Sequence, residues 1–146
     1  MEQRTPVPDE SAYVARRVAH PWLLRQLWAA KVPADEAEEF LADLARAFGK
    51  ASPTLVRCAD GDSQAAMDRT AQTEVVTIAA NYYNENGSLR AAIPVGLLCH
   101  EYAHILQYDW WLRMRGQGEY PKWEPHGPAF IDQLDRVAIE AAKGLE

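Results

Sequence analysis

Cysteine is scarce: the 146 residues include only Cys58 and Cys99. That excludes a disulfide-stapled scaffold, and both thiols are expected to be reduced and buried in a cytoplasmic protein. Long apolar runs are missing as well. None approaches the ~18 consecutive apolar residues of a membrane span, so no membrane partner is expected. The polar, Pro-broken start MEQRTPVPDE does not read as a secretory signal. There is no internal repeat and no low-complexity tract. Net positive charge is also lacking, the formal charge being −6. Residues 1–33 carry five basic and three acidic side chains, residues 34–93 five and ten, and residues 94–146 five and eight. An acidic chain repels a phosphate backbone unless a basic face is segregated. Arg16, Arg17 and Arg25 form a small basic cluster near one end, which reads as a solvated helix face.

What is present suits one domain over 1–146. A chain of this length buries roughly two-thirds of the surface it exposes when unfolded, enough for a core without staples. Residues from Asp9 to about Lys31 read as helix, with Val14, Val18 and Trp22 at helical spacing and Pro21 dividing the run. A second helix is expected from Ala34 to Phe48, carrying Phe40, Leu41, Leu44 and Phe48 on one stripe and ending at Gly49. These N-terminal helices (about 9–48) precede a core expected over about 54–143.

There the period changes. Thr54–Cys58 and Glu74–Ala79 are β-rich and bounded by turn formers, so both read as strands. Residues 60–73 fit either a weak third strand or a loop. A long helix is expected from near Ile93-Pro94, with Pro at its first position, to about Arg115, where Gly116 and Gly118 stop it. A last helix runs from about Pro128 to Lys143, with Phe130, Leu134, Val137, Ala138 and Ala141 on its apolar stripe. The fold class is α+β: a small antiparallel or mixed sheet packed on the long helix, flanked by N-terminal and C-terminal helices.

The chemistry concentrates in that long helix, at Cys99-His-Glu-Tyr-Ala-His-Ile-Leu-Gln107. His100 and His104, four apart, stack on one helical face and can reach one metal ion. Glu101 lies beside them, placed to act on a zinc-activated water as a base. With four His and twelve Glu, composition alone gives His-Glu-x-x-His at a frequency of about 1 in 100. On a helical wheel His104, Leu97, Tyr108 and Trp111 fall within about 80° of His100, while Leu98, Ile105, Tyr102 and Leu106 lie about 140–240° away. One face is therefore expected to be core and the other to hold both histidines and Glu101.

A catalytic zinc site has three protein ligands and an open position. His126, in Glu124-Pro-His-Gly-Pro-Ala-Phe130, is the strongest candidate for the third, because an antiparallel return of the last helix brings it back to the pair. Glu119, Glu124 and Glu140 are weaker alternatives. Asp109 points about 140° from His104 and is disfavoured, and His20 is expected to have no role at the metal.

With these residues in place, the chain resembles the SprT-like zinc metalloproteases, a branch of the zincins that includes the Spartan-type proteases. His100-Glu101-x-x-His104 and the later His126-Gly-x-x-Phe130 carry the resemblance, supported by the strand Glu74–Ala79, over roughly residues 74–137. It implies one Zn2+ per chain held by His100, His104 and His126, with Glu101 as catalytic base and a polypeptide as substrate. Many members carry a Cys-rich ribbon after the catalytic part, whereas no Cys follows Cys99 here. Spartan-type members act on proteins crosslinked to DNA, so the resemblance allows a DNA partner that the charge of −6 does not support.

The expected reaction is zinc-dependent endopeptidase hydrolysis. The substrate is expected to add as an extended strand beside Val75–Ala79, contacting Val76 and Ile78. Tyr108, Trp111 and Tyr120 are further candidate substrate contacts. Tyr82, Tyr83, Tyr108 and Tyr120 are candidates for stabilising the oxyanion. Trp110, Trp111, Tyr120 and Trp123, interleaved with Arg113, Arg115 and Lys122, read first as a lid over the site and second as a platform for single-stranded bases. The alternative function is a catalytically weak zinc-binding interaction module on the same scaffold. Hydrolysis of a non-peptide bond is a third reading.

Overall fold

The computed structural model describes residues 12–33, 36–58, 63–68, 73–79 and 92–144. Its elements are α1 (Ala12–Arg17), α2 (Pro21–Ala29), β1 (Lys31–Pro33), α3 (Ala37–Ala47), β2 (Thr54–Cys58), β3 (Gln64–Asp68), β4 (Thr73–Ala79), β5 (Ala92–Pro94), α4 (Val95–Gly116) and α5 (Pro128–Lys143). The described residues form an α+β arrangement with two small sheets. β2, β4 and β3 lie side by side in that order, with β2 parallel and β3 antiparallel to the central β4. β1 and β5 form a separate antiparallel ribbon that pairs Val32 with Ile93. No described helix is long and apolar enough to cross a membrane.

The N-terminal run divides as Pro21 requires. The break has a tertiary partner: the Ala19 N–H donates to both carboxylate oxygens of Asp135 on α5, at 2.9 and 3.0 Å. The starts expected at Asp9 and Ala34 lie outside the described residues. Two helices end in the same glycine-dependent way. At α3, Gly49 takes φ +70°. The Lys50 N–H then reaches the Ala45 carbonyl at 2.9 Å and the Gly49 N–H reaches Arg46 at 3.0 Å. At α4, Gly118 takes φ +85°, and Glu119 and Gly118 bond back to Met114 and Arg115 at 2.9 and 3.1 Å. Both closures satisfy carbonyls the helix would otherwise orphan, in a left-handed conformation that glycine adopts without steric cost.

Pro94 departs from the expected first helical position. It is the residue flanking α4, with extended φ/ψ (−60°, 131°), and closes the short strand β5. The helix begins at Val95, whose N–H is satisfied by the Ala30 carbonyl at 2.9 Å. α4 is the centre of the molecule: α2, α5, β3, β4 and β5 all pack against it. The expected two-faced helix is accordingly corrected. From Val95 to Gln107 it is buried all round, Glu101 included at 5% exposure, and only His100 and His104 are partly open. Leu98, Tyr102, Leu27, Phe130 and Leu134 are fully buried in this core.

Close approach of α2 to α4 depends on Gly96. A Cβ there would lie 2.4 Å from a ring carbon of Trp28, well inside contact distance. Gly96→Ala is therefore expected to lower stability by about 1–3 kcal/mol through overpacking, read as a lower urea midpoint.

A charged cluster ties α3, β4 and α4 together. Lys50 Nζ lies 2.7 Å from Glu74 Oε2 and also pairs with Asp109. Burial disfavours the Lys50 charge, but bonds to Asp109 and Glu74 outweigh it and raise its pKa. Burial pushes the Glu74 carboxyl up, with Lys50 opposing. Asp109 is thus engaged on another side of α4 from the histidines.

Candidate metal centre

α4 and α5 pack against each other, and the turn before Pro128 brings His126 back to the histidine pair on α4. One ring nitrogen from each of His100, His104 and His126 lies within 4.8 Å of the others. The ring centroids form a nearly equilateral triangle: 5.0 Å from His100 to His104, 5.1 Å from His100 to His126 and 5.0 Å from His104 to His126. His100 Nε2 and His126 Nε2 are 3.2 Å apart. Two nitrogens about 2.0–2.1 Å from one tetrahedral zinc are separated by about 3.3–3.4 Å, so this pair fits such an ion. Among the described residues this is the group of His, Cys, Asp or Glu side chains with a geometry able to hold a metal ion. Glu119, Glu124 and Glu140 do not belong to it. His20 also lies elsewhere, edge-on to Trp22 at 5.1 Å.

Phe130 forms the floor. It stacks on His104 at 4.4 Å and 28°, and meets the rings of His100 and His126 at 4.9 and 5.0 Å. Being four residues after His126, it sits in the first turn of α5 and covers all three imidazoles. His104 is further held by Gln107. Its Nδ1 lies 3.3 Å from Gln107 Oε1, and Gln107 Nε2 donates to the Glu124 carbonyl at 2.7 Å.

Burial, followed by the neighbouring His100, pushes the His104 pKa down to about 3 from 6.5; the Gln107 bond opposes this and His126 adds to it. His104 is neutral at physiological pH, which is the protonation state a metal ligand needs. The sign for stability follows. The folded pKa lies below the unfolded one, so protons bind the unfolded chain first as pH falls. The metal-free protein is expected to lose about 2 kcal/mol of stability from this group between neutrality and pH ~5, measured as a falling urea midpoint.

The histidines open on a cleft of about 570 Å³, lined also by Glu101, Ile105, Tyr108, Glu74, Trp123 and three successive residues of β3, Ala65, Ala66 and Met67. The expected substrate strand beside Val75–Ala79 is corrected here. β4 is the central strand, paired on both sides, and Val76 is fully buried in the core. The side chain of Ile78 lies outside the described residues. The strand facing the cleft is β3. Tyr108 lines the cleft. Trp111 and Tyr120 do not: the Trp111 Nε1–H donates to the Pro121 carbonyl at 3.2 Å, and Tyr120 is 71% exposed. Arg115 stacks on both of those rings, at 4.6 and 5.0 Å. Trp111 leans instead on Tyr108 and Trp123, at 6.0 and 5.9 Å, and Trp123 makes the outer wall. Tyr82 and Tyr83 lie outside the described residues, as does the side chain of Cys58; Cys99 is a buried thiol.

Sequence reasoning missed three contributors to the site. Gln107 was detectable as a polar residue one helical turn beyond His104. Glu74 opens a strand in the sequence pattern, and nothing local to it signals the cleft. β3 reads QAAMD, without the β-branched residues that announce a strand. Comparison with family models, curated proteins and solved structures gives no match.

Proposed function

We propose that this chain is a zinc-dependent metalloendopeptidase on a zincin-like, SprT-like scaffold, acting in the cytoplasm on polypeptide substrates. The observation that carries the reading is the convergence of three imidazoles on one point, with the buried carboxylate of Glu101 in the same cleft wall. His100, His104 and His126 would hold the ion. Three nitrogen donors favour zinc among abundant divalent ions and leave a position open. When bound, zinc supplies a Lewis acid that acidifies water and polarises a carbonyl. Glu101 takes the proton of the attacking water and passes it to the leaving amine.

The outer edge of β3 is paired with no strand among the described residues, and Ala65–Met67 lie along the cleft. An extended polypeptide can add there through main-chain hydrogen bonds, with Tyr108, Ile105 and Trp123 receiving its apolar side chains. Glu101 also separates this reading from the interaction-module alternative. A purely structural zinc wants a fourth closing ligand and has no use for a base. The test combines metal analysis with cleavage of an unfolded protein by the wild type and Glu101→Gln.

A further inference from the structure

We infer that Gln107 is the positioning residue of the metal centre: it fixes the tautomer of His104 and latches the turn that delivers His126. The inference rests on the metal-site part of the reading above and not on peptide hydrolysis.

Gln107 is 1% exposed. A buried amide is costly unless both of its ends are hydrogen-bonded, and here both are. Its Nε2 lies 2.7 Å from the main-chain oxygen of Glu124. A carbonyl oxygen only accepts, so the NH2 end must face Glu124. That turns Oε1 towards His104 Nδ1, 3.3 Å away. Oε1 also only accepts, so the hydrogen of the neutral imidazole sits on Nδ1. A neutral imidazole has one N–H, and Nε2 keeps its lone pair for the ion. One backbone carbonyl thereby dictates the orientation of the amide, and the amide dictates the ligating atom of His104.

The same carbonyl organises the other ligand. It accepts the Gly127 N–H at 3.1 Å, closing the tight turn that contains His126. Gly127 is buried, and a Cβ there would lie 2.8 Å from Glu124 Cβ, so the turn has no slack at that point. Gln107 is therefore bonded at one end to a ligand on α4 and at the other to the turn carrying a ligand on the approach to α5. Their relative position is set before any metal arrives.

Two variants separate the two bonds. Gln107→Leu removes both. Gln107→Glu keeps an acceptor facing His104 and removes the donor to Glu124. The readouts are the His104 tautomer from long-range 1H–15N spectra of the metal-free protein at neutral pH, exchange of the Gly127 amide, and zinc affinity by chelator competition. In the wild type the hydrogen is expected on Nδ1. Gln107→Leu loses that preference and binds zinc ~10–100-fold more weakly. Gln107→Glu keeps the hydrogen on Nδ1 while Gly127 exchanges faster. A packing role alone would move none of the tautomer signals. An Nε2–H tautomer in the wild type overturns the inference, as does a Gln107→Leu protein with an unchanged tautomer and zinc affinity. If Gln107→Leu does not fold, the wild-type tautomer and the Glu variant decide. Zinc binding without any cleavage removes the peptidase reading and leaves this one standing.

Discussion

Glu101→Gln is expected to keep about one zinc per chain and to lose hydrolysis of an unfolded protein substrate by a factor of ~10²–10⁴ in kcat, the range general acid–base groups supply. The side chain is 5% exposed and sits between the two helical ligands without belonging to the ligand group. Gln matches Glu in size, so the core around α4 stays filled and the imidazole triangle is undisturbed. What the amide cannot do is accept a proton at neutral pH. Because the lost interaction is made in the transition state, kcat should fall with little change in KM. Metal content by atomic emission and initial rates on the same preparations check the two halves of the expectation. A zinc-loaded Glu101→Gln protein as active as the wild type would remove Glu101 as the base. A wild type that holds zinc and cleaves no unfolded protein would favour the interaction-module alternative.

The helices of this fold are legible in their apolar stripes and at their glycine or proline boundaries, less so at the start of α4, where Pro94 closes a strand. α5 runs from Pro128 to Lys143 as its stripe indicates, and α3 stops where Gly49 permits a left-handed turn. The strands were legible only where side chains are β-branched, as in Thr54–Cys58 and the Val-Val-Thr-Ile of β4. β1 and β5 are three residues each, too short to show a period, and exist because Val32 and Ile93 find each other across the chain. Strand order is non-local in the same way: nothing within Glu74–Ala79 says that it is central, so the sequence pattern points to β4 as the substrate edge although the cleft is faced by β3. The burial of α4 is hidden from the helical wheel for a related reason. His100 and Glu101 look like a polar face, yet β3 and β4 cover that side and leave an opening at the histidines.

The site was more legible than the sheet. Metal ligation restricts residue type, so two histidines one turn apart on α4 and a third in the turn before α5 are enough to nominate the centre. The groups that hold those ligands face no such restriction. Phe130 lies on the apolar stripe of α5 and is core at 0% exposure, but its ring also backs all three imidazoles. Gln107 carries no motif, and its part depends on a carbonyl seventeen residues away.

His126→Ala is expected to weaken zinc binding by two to three orders of magnitude while leaving the fold intact. Structural zinc sites with four ligands bind with ~10–16 kcal/mol, so one ligand contributes about 3–4 kcal/mol, and 1.4 kcal/mol is tenfold. The ring is exposed and precedes α5, so its removal opens no core cavity and should change stability by no more than about 0.5 kcal/mol. His104 offers a poorer test, because it is partly buried and stacked on Phe130, and its loss mixes packing with ligation. Chelator competition gives the affinity and urea unfolding of the metal-free protein gives the stability, so the two effects are measured apart. Affinity unchanged in His126→Ala would mean that an acidic side chain, with Glu119 and Glu124 nearest in sequence, completes the centre instead. A large affinity loss at constant stability isolates ligation as the job of this residue, since loss of its ring contacts with Phe130 and the other two imidazoles would appear in the urea midpoint of the metal-free protein.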